Sequence, residues 1–229
     1  MPATIITIAQ QKGGAGKTTL AAHLALAWAA HHRVGVIDID PQASLAQWFR
    51  LRKARLGALA PDIDVAAITG WRVAREVERQ ARRHDIVLID SAPGLSVLTE
   101  CWLREANFYL APTKPDYIST RGLQFLGQFR QRDLDMGFAQ FLGVIINMAD
   151  PHSRIDDQFE HWLRQHRGNR CFEQLIRRTT ALQAAAHFYP RPRSYWAKYP
   201  GDTGKDLRQL TVELLARLSS VPQGLQAGR

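Results

Sequence analysis

The first thirty residues restrict the fold of this 229-residue chain more than any other segment does. A short β-branched run at residues 4–9 enters a glycine-rich stretch ending in Gly16-Lys17-Thr18, and an Ala/Leu-rich run at residues 18–30 leaves it. Strand, glycine loop and helix in that order let backbone N–H groups converge on phosphate oxygens, with the positive end of the helix dipole behind them. Glycine is needed because the backbone must take conformations closed to other residues. In such a loop Lys17 reaches the β- and γ-phosphates and Thr18 offers a hydroxyl to Mg²⁺. The general pattern G-x-x-x-x-G-K-[ST] asks for a glycine at position 11, where this chain has Gln11.

Downstream, short apolar runs alternate with longer amphipathic stretches. The pattern predicts an α/β fold with three layers: a mostly parallel twisted sheet carrying helices on both faces, the P-loop NTPase fold. Strands are expected at 4–9, 33–38, 61–68, 86–89, 108–111 and 141–147, with a short one at 171–175. Helices are expected at 18–30, 44–55, 71–83, 119–132, 155–165, 180–187 and 203–218. Residues 1–220 read as a single domain and 221–229 as a frayed tail.

Two groups of acids stand at strand ends. Asp38 and Asp40, in Ile37-Asp38-Ile39-Asp40-Pro41-Gln42, are two residues apart and so point the same way, towards the carboxyl edge of the sheet, where they can order water around a metal ion. Asp90 closes the apolar run Ile86-Val87-Leu88-Ile89, and buried strand residues of that kind hold a carboxylate rigidly near a metal's water shell.

Composition excludes several classes. No stretch approaches the roughly 18 apolar residues a membrane span needs, and the amino terminus has no basic n-region, so a signal peptide is not expected. Cys101 and Cys171 stand far apart, outside any C-x-x-C pair, and read as buried apolar side chains; His152, His161 and His166 lack metal spacing and read as surface residues. Neither Ser91 nor Ser96 lies in a G-x-S-x-G elbow, so a covalent mechanism has no support. The net charge is +9, and residues 161–200 hold eight Lys/Arg against the single acid Glu173. That concentration fits either a polyanion partner or a solvated basic face.

At Lys12-Gly13-Gly14-Ala15-Gly16-Lys17-Thr18-Thr19 the sequence resembles the K-G-G-x-G-K-T-[ST] deviant Walker A of the ParA/MinD family of P-loop ATPases. The resemblance covers most of the chain: Asp38 to Gln42 is similar to the family's D-x-D-P-Q segment, and Asp90-Ser91-Ala92-Pro93-Gly94 to its D-x-P-P, with a small departure. Residues Ala111 to Pro115 with Arg121-Gly122-Leu123 look like its dimer-facing strand end and following helix. The resemblance implies ATP and Mg²⁺ as cofactors. Gly13, Gly14, Ala15, Gly16, Lys17, Thr18 and Thr19 would hold the phosphates, and Thr18, Asp38 and Asp90 the metal, the two acids through water. Lys12 would reach across a homodimer formed on ATP binding to the partner's phosphates, and Asp40 would position the attacking water, completing a catalytic set of Lys12, Lys17 and Asp40. Asn147 resembles the family's adenine-reading asparagine, although a strand-end Asn also caps loops.

By the same resemblance Arg177 and Arg178 fall in a DNA-facing region, where the family's usual acid and arginine are replaced by Ala184 and Ala181. Arg191, Arg193 and Lys198 interleave with Tyr189, Tyr195 and Trp196, a composition suited to phosphate contact with stacking, or to packing of the rings under the last helix. The implied protein is a cytoplasmic, nucleoid-associated partition or positioning ATPase that binds DNA without sequence preference and is stimulated by a ParB-type partner. A MinD-like membrane-cycling regulator is the alternative. It calls for an amphipathic basic helix after the domain, which Val221-Pro222-Gln223-Gly224-Leu225-Gln226-Ala227-Gly228-Arg229 does not supply. An iron–sulfur scaffold of related fold would need clustered cysteines.

Overall fold

A computed structural model of the chain describes residues 2–94, 102–116, 139–184 and 202–221. Its sheet has seven strands: β1 (Thr4–Ile8), β2 (Val34–Asp38), β3 (Ile63–Ala67), β4 (Ile86–Asp90), β5 (Phe108–Thr113), β6 (Gln140–Ala149) and β7 (Ile176–Arg177). Every pairing is parallel, in the spatial order β3-β2-β4-β1-β5-β6-β7. In β2 and β4 successive residues alternate between the two faces. Val34, Val36, Ile86 and Leu88 join one core, whereas Ile37, Val87 and Ile89 join another on the opposite face.

Helices α1 (Lys17–Trp28), α2 (Ser44–Leu56) and the C-terminal α6 (Asp202–Ser219) cover the first face, contributing Leu20, Leu24, Leu45, Leu207, Leu210 and Leu214 to its core. On the other face lie α3 (Val73–Ala81), through Val73 and Val77, and α4 (Arg154–Arg167), through Leu163. The helix α5 (Thr180–Ala184) adds Leu182 to the first core. Because α1 is flanked by α2 and α6 as well as by the sheet, it is buried almost all round, which its uniform Ala/Leu composition permits. The observed order of layers is the three-layer arrangement expected from the sequence.

The expected short strand at 171–175 is corrected to Ile176–Arg177. Cys171 makes only an isolated bridge to Val144. The carbonyls of Leu142, Asn169 and Cys171 are taken instead by the Arg217 guanidinium at 3.0, 2.8 and 2.9 Å, so a side chain from α6 replaces a ladder there. Cys171 is 1% exposed, as a buried apolar residue should be, and its thiol is pushed up to about 11 by burial. His152, His161 and His166 are exposed. The helix expected at 119–132, the loop at 187–201 and Cys101 lie outside the described residues.

Candidate nucleotide site

Sheet register builds the site. Ile8 at the end of β1 stands beside Asp90 of β4, and Asp90 stands beside Asp38 of β2, so the glycine loop and both acids emerge at one carboxyl edge. There β1 lies between β4 and β5, where the chain's crossovers change direction, the usual place for a ligand in an open parallel sheet.

The glycine loop feeds directly into α1. Gly16 is the N-cap, with φ 91°, and no side chain caps the helix and no acid sits in its first turn. The first N–H groups and the positive end of the dipole are therefore left for an anion to satisfy. Gly16 is required twice over, because a Cβ there would also collide with the Asn147 amide. Asn147, 5% exposed, donates from Nδ2 to the Ala15 carbonyl at 2.9 Å and accepts the Met148 N–H at 3.0 Å. It braces the loop, keeping one N–H and one lone pair for another partner.

Lys17 is 6% exposed and folds back on the end of β1, donating to the Gln10 carbonyl at 3.1 Å. Burial pulls its ammonium below the ordinary lysine range, opposed by the Asp90 and Asp40 carboxylates. Lys12 sits on the outside of the loop, where its ammonium pairs with both oxygens of Asp116 at 3.0 and 3.2 Å; the side chains are 35% and 38% exposed. One loop thus carries a buried lysine beneath it and a second lysine on its rim.

Asp38 is fully buried and commits its carboxylate to backbone, accepting the Asp40 N–H at 3.1 Å and the Ala46 N–H at 3.0 Å. Burial raises its carboxyl above the ordinary range, against those hydrogen bonds. It fixes where α2 begins and so where the half-buried Asp40 stands, whose own Oδ1 accepts the Gln42 N–H at 2.9 Å. Asp90 differs. It is 1% exposed, neither of its oxygens has a hydrogen-bond partner of good geometry, and burial pushes its carboxyl up to about 7 despite the nearby Thr18 hydroxyl and Lys17 ammonium. A buried carboxylate without partners beside a hydroxyl fits a water-clad divalent cation.

Gln10 and Asp116 carried no signal in the sequence, and Lys114 lay in the Ala111 to Pro115 segment without a role of its own. Gln10 ties the end of β1 to β5 by donating to the Pro112 carbonyl at 3.0 Å. Asp116 holds Lys12, and Lys114 brings its ammonium nitrogen to 3.7 Å from the point a Cβ at Gly14 would occupy. An open cleft of about 900 Å³ lies elsewhere, between α2 and edge strand β3.

On the basic side Arg177 is engaged within the fold. Its guanidinium is paired with Asp202 and with Asp206 at 3.3 Å, the latter 1% exposed and also accepting the Arg177 N–H at 3.2 Å. It binds β7 to the start of α6. Arg178 beside it is exposed. Arg191, Arg193 and Lys198 lie outside the described residues.

Over residues 6–189 the chain matches the family described as the CobQ/CobB/MinD/ParA nucleotide binding domain. It is 29% identical to the chromosome-partitioning ATPase Soj of Thermus thermophilus, an alignment covering 93% of this chain and 96% of Soj. It is 30% identical to the maintenance of carboxysome distribution protein A of Gloeobacter kilaueensis, over 80% of each chain. Among solved structures the fold is like that of pNOB8 ParA bound to nonspecific DNA, with a TM-score of 0.68 and 20% identity over 96% of this chain and all of that one.

Proposed function

This chain belongs to the CobQ/CobB/MinD/ParA nucleotide-binding family, and we propose that within it the protein is a ParA-type ATPase for partition or cargo positioning, switched by an ATP-dependent dimer. It is a P-loop ATPase that uses Mg-ATP. The observation that carries the finer reading is the pair of lysines on one loop: Lys17 buried against β1, and Lys12 on the rim, half-exposed, with Asp116 as its partner. Lys17 serves the phosphates of its own protomer. Lys12 is free to exchange Asp116 for the phosphates of a second protomer, which couples ATP binding to dimerisation.

The residues divide the chemistry. Amides from Gly13 to Thr19 bind the phosphate oxygens, and Lys17 leaves the Gln10 carbonyl to join them. The Thr18 hydroxyl and, through water, the Asp90 and Asp38 carboxylates would hold Mg²⁺. When bound, Mg²⁺ neutralises charge on the phosphate chain. Asp40 orients the water for in-line attack at the γ-phosphorus, and Lys12 and Lys17 stabilise the charge that develops on the phosphoryl oxygens. The remaining N–H and lone pair of Asn147 suit contact with the adenine.

The dimer binds DNA without sequence preference through Arg178, Arg191, Arg193 and Lys198, and a ParB-type protein stimulates hydrolysis and release. The DNA-bound neighbour makes duplex DNA the partner to test first. The membrane-cycling alternative is less well supported, because the apolar stripe of α6 (Leu207, Leu210, Leu214) is in the core and cannot also lie on a lipid surface. None of the described helices is long and apolar enough to cross a membrane.

The test is fluorescence anisotropy of a duplex of arbitrary sequence with Mg-ATP, Mg-ADP or no nucleotide. Tight binding is expected with Mg-ATP alone, and Lys17→Ala should abolish it together with ATP hydrolysis. Retention equal in all three conditions, or capture by anionic vesicles in place of DNA, would overturn the reading.

A further inference from the structure

The turn after β5 faces the glycine loop with two opposite charges. It is tightly closed: the Asp116 N–H donates to the Lys114 carbonyl at 2.8 Å around Pro115, and the hydroxyl of the fully buried Thr113 donates to the same carbonyl at 3.3 Å. From this fixed turn Asp116 takes Lys12, and Lys114 lays its ammonium against Gly14, whose φ is 73°.

The three ammonium groups around the loop are not in the same electrostatic state. Lys12 is compensated by Asp116, and Lys17 feels the carboxylates of Asp90 and Asp40. Among the described residues no carboxylate pairs with Lys114, which is half-buried. It stands beside backbone donors at the positive end of α1, a helix with no acid in its first turn. A cation held there is unfavourable until an anion arrives.

We propose that Lys114 is a third phosphate-binding ammonium of the nucleotide site, contacting the phosphate chain from the Gly14 side of the loop. The inference rests on the ATP site described above and adds a residue to it. Since a triphosphate carries more negative charge than a diphosphate, Lys114 favours ATP over ADP. It supplies that preference while Asp116 still occupies Lys12, before any second protomer is engaged.

Titration calorimetry of wild type, Lys114→Met and Lys114→Arg with magnesium adenylyl imidodiphosphate and with Mg-ADP tests this, with thermal melts confirming that each variant is folded. Met keeps the aliphatic stem without the charge, and Arg keeps the charge. Lys114→Met is expected to weaken the triphosphate analogue about tenfold, as loss of one charged hydrogen bond does, and Mg-ADP by less. Lys114→Arg should recover most of that loss, and the gap between Met and Arg should close as salt is raised. Unchanged affinity in Lys114→Met, or equal losses in Met and Arg, would show that Lys114 has no charge role. Wild-type protein that binds neither nucleotide would instead remove the ATP site itself, and this proposal with it.

Discussion

Asp90 shows what single residues contribute here. The fold closes over a carboxylate, leaves both oxygens without a hydrogen bond of good geometry although the Thr18 hydroxyl is near, and so holds the proton far more tightly than an unfolded chain would. The sign follows. With a folded value near 7 against 3.8 for the free side chain, the contribution to stability is whole below about pH 4 and is lost progressively as pH rises towards 7. Asp90→Asn should therefore raise the melting temperature of the nucleotide-free protein above pH 7, by an amount equivalent to about 1–3 kcal/mol, with the gain fading towards pH 4. Thermal melts across that range check it, and a gain independent of pH would exclude the carboxylate as its source. Asp90 is legible in the sequence because an acid ending an apolar strand is a local pattern. Its isolation is not, since that depends on what β1, β2 and α1 leave unfilled around it.

Among the elements, α2 illustrates a helix whose start is decided from a distance. Its N-cap, Ala43, has φ 49° and no side chain able to cap, so the amide of Ala46 is satisfied by Asp38 at the end of β2. Asp38→Ala should cost about 1–2 kcal/mol, as removal of a capping side chain usually does, measured by urea unfolding. It should also slow ATP hydrolysis, because Asp40 is held through the same carboxylate. A variant as stable as wild type would show that α2 does not depend on Asp38. The amphipathic or uniformly apolar runs that form α1 to α4 are legible directly, since burial of a stripe leaves its period in the sequence. The last strand lies a few residues beyond its expected place, because the preceding carbonyls of Asn169 and Cys171 are bonded by Arg217, 48 and 46 residues away.

For the whole molecule, charge is the organising quantity. A net +9 attracts a polyanion, but the fold decides which cations remain available, and it commits Arg177 to Asp202 and Asp206. Replacing Arg178, Arg191, Arg193 and Lys198 with Ala should weaken DNA binding and flatten its dependence on salt, by about 0.9 in the log–log slope for each phosphate no longer neutralised. Arg177→Ala should leave that slope in place and lower the melting temperature, because it strands the buried Asp206. Anisotropy titrations at several salt concentrations distinguish the two, and an unchanged slope in the fourfold variant would rule out that surface.

What the sequence determined by itself is whatever chemistry is contiguous along the chain: the glycine loop and its two lysines, the acids that end β2 and β4, and the alternation that buries both faces of a parallel sheet. Those signals are local, because backbone conformation and strand polarity are set by neighbours. The tertiary structure alone decided that Lys12 meets Asp116, 104 residues on, that Asn147 braces Ala15 across 132 residues, and that Lys114 covers Gly14. Each of these pairs bridges β1 to β5 or β6, and only the spatial order of strands, which no short stretch of sequence encodes, brings those ends together.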